Sequence, residues 1–240
     1  MWVVGRHPVE ELLSSRTQRP RAVLVSETVP PEARKAVAEL ARAAGVPFSV
    51  CARHEWARRT GEREGNVAAE IGEYRYADFD DWVRGLPERA VVFLLDGVTD
   101  PHNLGAILRS ARAFGIAGVV TPRDHSCPVT GAVFKASAGA AAHVPVVQVT
   151  NLARAVAALK EEGFWTYAAH GSGETEIADF EAPRRAGIVL GGEDKGIRRL
   201  VRESCDGSLR IGMQPGVESL NVGVAAGILA FRLRAPVPGK

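Results

Sequence analysis

Apolar and polar positions along the 240 residues follow two periods, short β-branched runs that suit buried strands and longer stretches whose apolar residues return every three or four places. The first sixty residues read as strand Val3–Val4, a helix around Val9–Leu13, strand Ala22–Val25, a helix from Pro31 to Ala44 and strand Pro47–Val50. Pro30–Pro31 opens the long helix where proline is tolerated. Val37, Leu40, Ala41 and Ala44 give it one apolar face, and Gly45 ends it. Residues 66–90 contain VAAEIGEYRY and a helix-like acidic run, Asp78–Arg84, on which Tyr74 and Tyr76 are expected to pack. They lead into a second domain.

That domain opens with Val91–Leu95, a strand ending at Asp96, followed by the turn formers Asp, Gly, Pro and Asn. Asn103 is the expected cap of the next helix, whose apolar face is Leu104, Ile107, Leu108, Ala111 and Phe114 and whose stop is Gly115. Strand Gly118–Thr121, loop Thr121–Thr130, the small-residue stretch Val133–Ala142 and strand Val144–Val149 come next. Asn151 caps a helix through Ala153, Val156 and Leu159, and Trp165–Ala169 returns as a strand. Strand Ile188–Leu190, a glycine-rich turn, helix Ile197–Cys205, strand Leu209–Met213 and a helix capped at Ser219 complete the chain. Gly223 and Gly227, four apart, suit close packing of that last helix. Alternating strands and helices imply an α/β fold with a mostly parallel sheet. The expected division is 1–75 as an N-terminal domain, 76–90 as a linker and 91–240 as the second domain.

Composition narrows the class. With 46% hydrophobic residues the chain can bury real cores, and no run reaches the roughly 20 apolar residues that span a bilayer. The N-terminus lacks a signal peptide's apolar segment, so a cytoplasmic protein is expected. Cys51, Cys127 and Cys205 form no C-x-x-C pair, which speaks against a disulfide framework or a zinc site. Net charge is only +2, but it is uneven: 1–63 carries +4, 64–90 carries −4 and 91–240 carries +2. Most basic residues are arginine, which suits bidentate phosphate contacts.

Four spots hold candidate chemistry. Arg53, Arg58, Arg59 and Arg63, with His54 and Trp56 among them, form either a phosphate-contacting patch with a stacking aromatic or a solvated helix. His125 and Cys127 have no general-base partner of recognisable spacing, so a loop role is expected. Gly187–Gly196, GIVLGGEDKG, is not a phosphate loop: its spacing is neither G-x-G-x-x-G nor Walker, and Glu193–Asp194 would repel phosphate. An acidic turn suits a cationic ligand better. Arg109 lies off its helix's apolar face, one turn after Gly105, and alone reads equally well as a solvated helix arginine.

The wording DGVTDPHNLGAILRSARAFG at 96–115 resembles the first signature motif of the SpoU/TrmH family of RNA 2′-O-ribose methyltransferases, within the SPOUT superfamily. GIVLGGEDKG is similar to the second motif, with Asp194 in place of a common glycine, and ESLNVGVA to the third, with Gly223 in place of serine. GRHPVEELL at 5–13 resembles the opening of the small RNA-binding domain that many members carry, although Arg63–Gly65 departs from their His-Gln-Gly. The resemblance implies a SPOUT α/β domain with a C-terminal trefoil knot, a homodimer and S-adenosyl-L-methionine as cofactor, with no metal and no membrane. It assigns Asn103, Arg109, Glu193, Ser219 and Asn221 as catalytic. It assigns Gly191, Gly192, Glu193, Gly196, Ile211, Met213, Leu220 and Asn221 to the cofactor. The expected substrate is a guanosine ribose of large-subunit ribosomal RNA; a tRNA enzyme and an inactive RNA-binding protein of the same fold are the alternatives.

Overall fold

The computed structural model describes residues 1–193 and 195–234, so Asp194 lies outside the described residues. The chain divides into two compact units, Met1–Arg75 with Val129–His143, and Tyr76–Pro128 with Val144 onward.

The first unit contains β1 (Trp2–Val4), α1 (Arg6–Ser14), β2 (Ala22–Ser26), α2 (Pro31–Ala43), β3 (Phe48–Cys51), α3 (Trp56–Thr60) and β4 (Val67–Glu70). Its sheet has the order β1-β4-β2-β3, with β4 antiparallel to both neighbours and β3 parallel to β2. A central strand thus comes from a stretch in which the sequence pattern predicts no strand. Val67–Ala69 is buried throughout and so lacks the apolar–polar alternation that marks a half-exposed strand. On α2, Val37 and Ala41 are buried, while Leu40, flanking them, stays exposed.

The arginine-rich stretch has two structural members. Trp56 is 1% exposed and packs with Val4, Leu24, Cys51 and Ala68, its indole Nε1 donating to the Glu64 carbonyl at 3.2 Å, so it is no stacking platform. Arg53 donates to the carbonyls of Gly65 (2.8 Å) and Arg63 (3.1 Å), holding the following loop.

The second unit begins with α4 (Phe79–Arg84), β5 (Ala90–Asp96), α5 (Pro101–Phe114) and β6 (Val119–Pro122). Residues expected as a linker therefore belong to its fold. Asp78 caps α4 by accepting from the Asp80 and Asp81 amides at 3.1 Å, Val83 is buried, and Ala77 N donates to the Val146 carbonyl at 2.9 Å. After β6 the chain contributes α6 (Gly131–Ala136) to the first unit, where Gly131 packs so closely on the Trp2 carbonyl that a Cβ would overlap it. Tyr74 packs there too, donating to the Ala141 carbonyl at 3.1 Å and meeting the Phe134 ring edge-on, and not on the acidic helix.

The second unit continues with β7 (Val146–Val149), α7 (Leu152–Glu161), β8 (Trp165–Ala169), β9 (Thr175–Glu176), β10 (Arg185–Gly191), α8 (Arg199–Ser204), β11 (Gly207–Arg210) and α9 (Val222–Leu233). Its seven strands, in the order β7-β6-β5-β10-β8-β11-β9, are paired in parallel throughout. Helices cover parallel sheets, so their strands read as unbroken apolar runs, and all seven residues of β5 are buried. Leu94, Val120, Val147 and Val189 pack with Val156 and Leu159 of α7 and Val201 of α8. Two boundaries differ from the sequence reading: α8 starts at Arg199, and β11 stops at Arg210, which puts Ile211 and Met213 on a loop. No described helix is long and apolar enough to cross a membrane.

Asp206 ties α7 and β8 to the start of β11. It accepts from Thr166 N (2.8 Å) and Oγ1 (2.9 Å) and pairs with Lys160 Nζ at 2.7 Å. Burial pushes its carboxyl up, but the Lys160 ammonium and the two Thr166 donors outweigh this and hold it below the ordinary carboxylate range. Such a group adds stability above its unfolded-state pKa and loses it as pH falls through the folded one. Asp206→Ala should cost about 2 kcal/mol at pH 7, because it strands the fully buried Thr166 hydroxyl. In urea titrations the gap to the parent should narrow as pH falls toward 3; an equal gap at both pH values contradicts this role.

Candidate active site

Because the sheet is parallel, the carboxyl ends of β5, β10, β8 and β11 share one edge, the usual place for a ligand in such folds. The register sets Gly191 beside Asp96 and Leu190 beside Ala169. A cavity of about 240 Å³ opens there, floored by Ala169, Leu190 and Leu209 and walled by Val222, Ala225 and Leu229 of α9. Its rim is the glycine turn, and the loop between β11 and α9 closes the far side.

Close approach, not phosphate binding, explains the glycines of the turn. A Cβ on Gly192 would overlap the Gly97 carbonyl, and one on Gly191 would overlap the backbone of Gly196. Two of the turn's amides are used within the fold: Gly192 N donates to the Asp96 carbonyl at 2.8 Å and Gly196 N to the Gly192 carbonyl at 3.1 Å. Asp96 fixes the chain beyond the turn. Its carboxylate, 1% exposed, accepts from the Arg198 amide and from Arg198 Nε, both at 2.7 Å, which compensates for its burial.

Asn103 does not cap α5. Asp100 does, accepting from His102 N at 2.8 Å with Pro101 in the first helical position, so Asn103 falls inside the first turn with its amide free for other work. Its Nδ2 donates to the Glu193 carboxylate, and its Oδ1 accepts from Asn221 Nδ2 at 2.9 Å. Asn221 in turn caps α9, its Oδ1 accepting from Gly223 N (2.9 Å) and Val224 N (3.3 Å). The expected Ser219 cap is thus two residues too early, and Ser219 lies on the cavity wall. A Cβ on Gly223 would sit 2.9 Å from the Ala106 Cβ, and one on Gly227 3.4 Å from Ser110 Oγ, so α9 packs closely on α5 through these two positions.

The structure therefore joins Asn103, Glu193 and Asn221 in one hydrogen-bonded chain. It lines the cavity with Gly191, Gly192, Glu193, Gly196, Ile211, Met213, Ser219 and Leu220, with Asn103 and Asn221 behind the wall. Arg109 does not line it. The side chain is exposed on α5, with no hydrogen bond or ion pair to another described residue.

Sequence reasoning missed the end of β8, where Ala169, His170 and Gly171 line the cavity. The signal was present: His170–Gly173 is a polar, glycine-containing cluster directly after a strand, as the Gly191 turn is. Burial and the nearby Arg202 lower the His170 pKa against the opposing pull of Glu174. Glu218 also lines the cavity. Cys127 does not, and burial, then Asp100, pushes its thiol up to about 11, which leaves it a poor nucleophile. Among the described residues no group of three or more His, Cys, Asp or Glu is arranged to hold a metal ion.

Comparison with known proteins identifies the family. Residues 90–231 match the SpoU rRNA Methylase family, and residues 2–77 match the RNA 2′-O ribose methyltransferase substrate binding family. The chain is 41% identical to the 23S rRNA (guanosine-2′-O-)-methyltransferase RlmB of Xanthomonas campestris, over 96% of this chain and 94% of that one. The SpoU methyltransferase AviRb of Streptomyces viridochromogenes, solved in complex with AdoMet, superposes with a TM-score of 0.83 at 22% identity, covering 97% of this chain and 88% of that one. The TrmH/SpoU tRNA modifying enzyme of A. aeolicus has a TM-score of 0.54 at 22% identity and covers 65% of this chain and 80% of its own. Matched by that family model over more than half its length, the chain belongs to the SpoU rRNA methylase family.

Proposed function

We propose that this protein transfers a methyl group from S-adenosylmethionine to the 2′-hydroxyl of a guanosine ribose in 23S ribosomal RNA. The observation that carries the reading is the acidic, glycine-built cavity at the strand ends, tied by Asn103 to two helices. The 41% identity to an rRNA guanosine 2′-O-methyltransferase over nearly the whole chain supports the choice of substrate.

The cavity fits the cofactor on chemical grounds. Glu193 on its turn and Glu218 on its far side offer carboxylates, which suit a molecule bearing a sulfonium and an ammonium group and no phosphate. Its apolar wall, with Ile211, Met213 and Leu220, suits an adenine ring. When bound, S-adenosylmethionine supplies an electrophilic methyl group. Everything else falls to the protein, and positioning is the largest part of it. Gly191, Gly192 and Gly196 leave room at the rim, while Glu193, Ser219 and Asn221 complete the polar edge that Asn103 holds in register.

Arg109 has a different task. A guanidinium, which keeps its proton, is a poor base but holds a phosphate or a developing oxyanion well. Exposed and unpaired among the described residues, Arg109 is available to orient the nucleotide phosphate and stabilise the 2′-oxygen as its proton leaves.

The knot and homodimer implied by the family resemblance belong to the same reading, as does a cytoplasmic location alongside the ribosome. An apolar stripe on α9, Val224, Ile228 and Phe231 at helical spacing and 38–53% exposed, supports the homodimer, because a second copy would cover it.

Labelled S-adenosylmethionine and 23S rRNA test the proposal directly, with chelator present. The expected product is a 2′-O-methylguanosine at one position. Arg109→Ala should lower turnover by about 10² or more with cofactor affinity near the parent's, and Arg109→Lys should recover part of the rate. Methyl transfer to a base, or a folded Arg109→Ala protein turning over like the parent, contradicts the reading.

A further inference from the structure

The first unit carries a second cleft, of about 760 Å³, between the loops Thr17–Arg21 and Ile71–Arg75. Three arginines, Arg19, Arg21 and Arg75, line it against one carboxylate, Glu73. All three are exposed, and none has a side-chain ion pair or hydrogen bond to another described residue. That distinguishes them from Arg53, spent on two loop carbonyls, and from Arg58, paired with Glu55 at 3.3 Å; Arg59 and Arg63 are likewise exposed and unpaired among the described residues, but lie outside the cleft. The cleft of the second unit between Tyr76 and Ala158 sets Arg123 and Arg154 against Asp78 and Asp80 and has no such excess.

The arginine cleft is also built before any ligand arrives. Gln18, 5% exposed, clamps one loop to the other, its Nε2 donating to the Arg75 carbonyl at 2.8 Å and its Oε1 accepting from Arg75 N at 3.2 Å. Ser15 Oγ accepts from the Gln18 and Thr17 amides, at 3.1 and 3.3 Å, and fixes the first loop. A Cβ at Gly72 would lie 2.8 Å from Arg21 Nη2, so the bare backbone there is what lets the guanidinium lie against it. Fixed loops that carry three uncommitted guanidinium groups into one cleft suit the phosphodiester backbone of RNA, because the loop backbone needs no reordering on binding.

We propose that Arg19, Arg21 and Arg75 form the RNA-backbone grip of the first unit, in place of the Arg53–Arg63 stretch. The proposal rests on the reading of the protein as an RNA methyltransferase.

The test uses the full chain and 23S rRNA transcribed in vitro, with affinity measured across a KCl series and S-adenosylmethionine affinity measured beside it. The triple variant Arg19→Ala, Arg21→Ala, Arg75→Ala should bind RNA about tenfold or more weakly at 0.1 M salt and lower the slope of log affinity against log salt by about two to three. Its melting temperature and cofactor affinity should match the parent's, and the corresponding triple lysine variant should keep most of the slope. Arg58→Ala, Arg59→Ala, Arg63→Ala should leave the slope within about one of the parent's. An alanine triple that keeps the parent's RNA affinity and slope overturns the grip and leaves the methyltransferase reading standing. A parent that neither binds nor methylates RNA overturns both.

Discussion

One side chain, the amide of Asn103, holds the active edge of this protein together. An amide has a donor end and an acceptor end that cannot be exchanged without loss, so Asn103 fixes two different neighbours at once, the Glu193 carboxylate on one side and the Asn221 amide on the other. Because Asn103 is buried, leaving either end unpaired would cost its full desolvation. The glycine turn and the start of α9 are thereby set in place relative to α5. Two other carboxylates make this possible. Asp100 caps α5 and frees Asn103 from that duty, and Asp96 at the end of β5 holds the far side of the turn through Arg198.

The consequence for function is preorganisation. Methylating a hydroxyl needs a weak nucleophile aligned with its partner, and alignment is worth most when the groups that impose it do not move. Here the cavity walls are strand ends and a capped helix, the rim is a turn held at Gly192 and Gly196 by backbone hydrogen bonds, and Arg109 lies exposed on the same α5 that anchors Asn103. The first unit has its own sheet and its own core around Trp56. Its charges can thus be shaped for RNA without disturbing the cofactor site.

Strong local patterns were legible in the sequence. The apolar run of β5, the Gly115 stop of α5 and the Asn151 cap of α7 could be read directly, because each depends on neighbours within a few residues. Elements set by distant partners were misread. β4 is buried throughout and shows no alternation; Trp56 sits among charges in sequence yet in a core in space; the cap of α9 is Asn221 and not Ser219, which the sequence permits equally. At the site, the motifs pointed to most of the residues lining the cavity, but the β8 end with His170 lies outside all three. The link between Asn103 and Asn221 spans 118 positions and could be seen only in three dimensions.

The central claim is that Asn103 and Asn221 act on the cofactor site as one unit. A double-mutant cycle with Asn103→Ala and Asn221→Ser, which keeps a capping hydroxyl on α9 but is too short to reach Asn103, measures this when S-adenosylmethionine affinity is read by calorimetry. Each single change should weaken binding, and the double variant should be little worse than the poorer single one, giving a coupling energy of about 1 kcal/mol or more. Losses that simply add, or an affinity that stays put while only the melting temperature falls, would contradict the account.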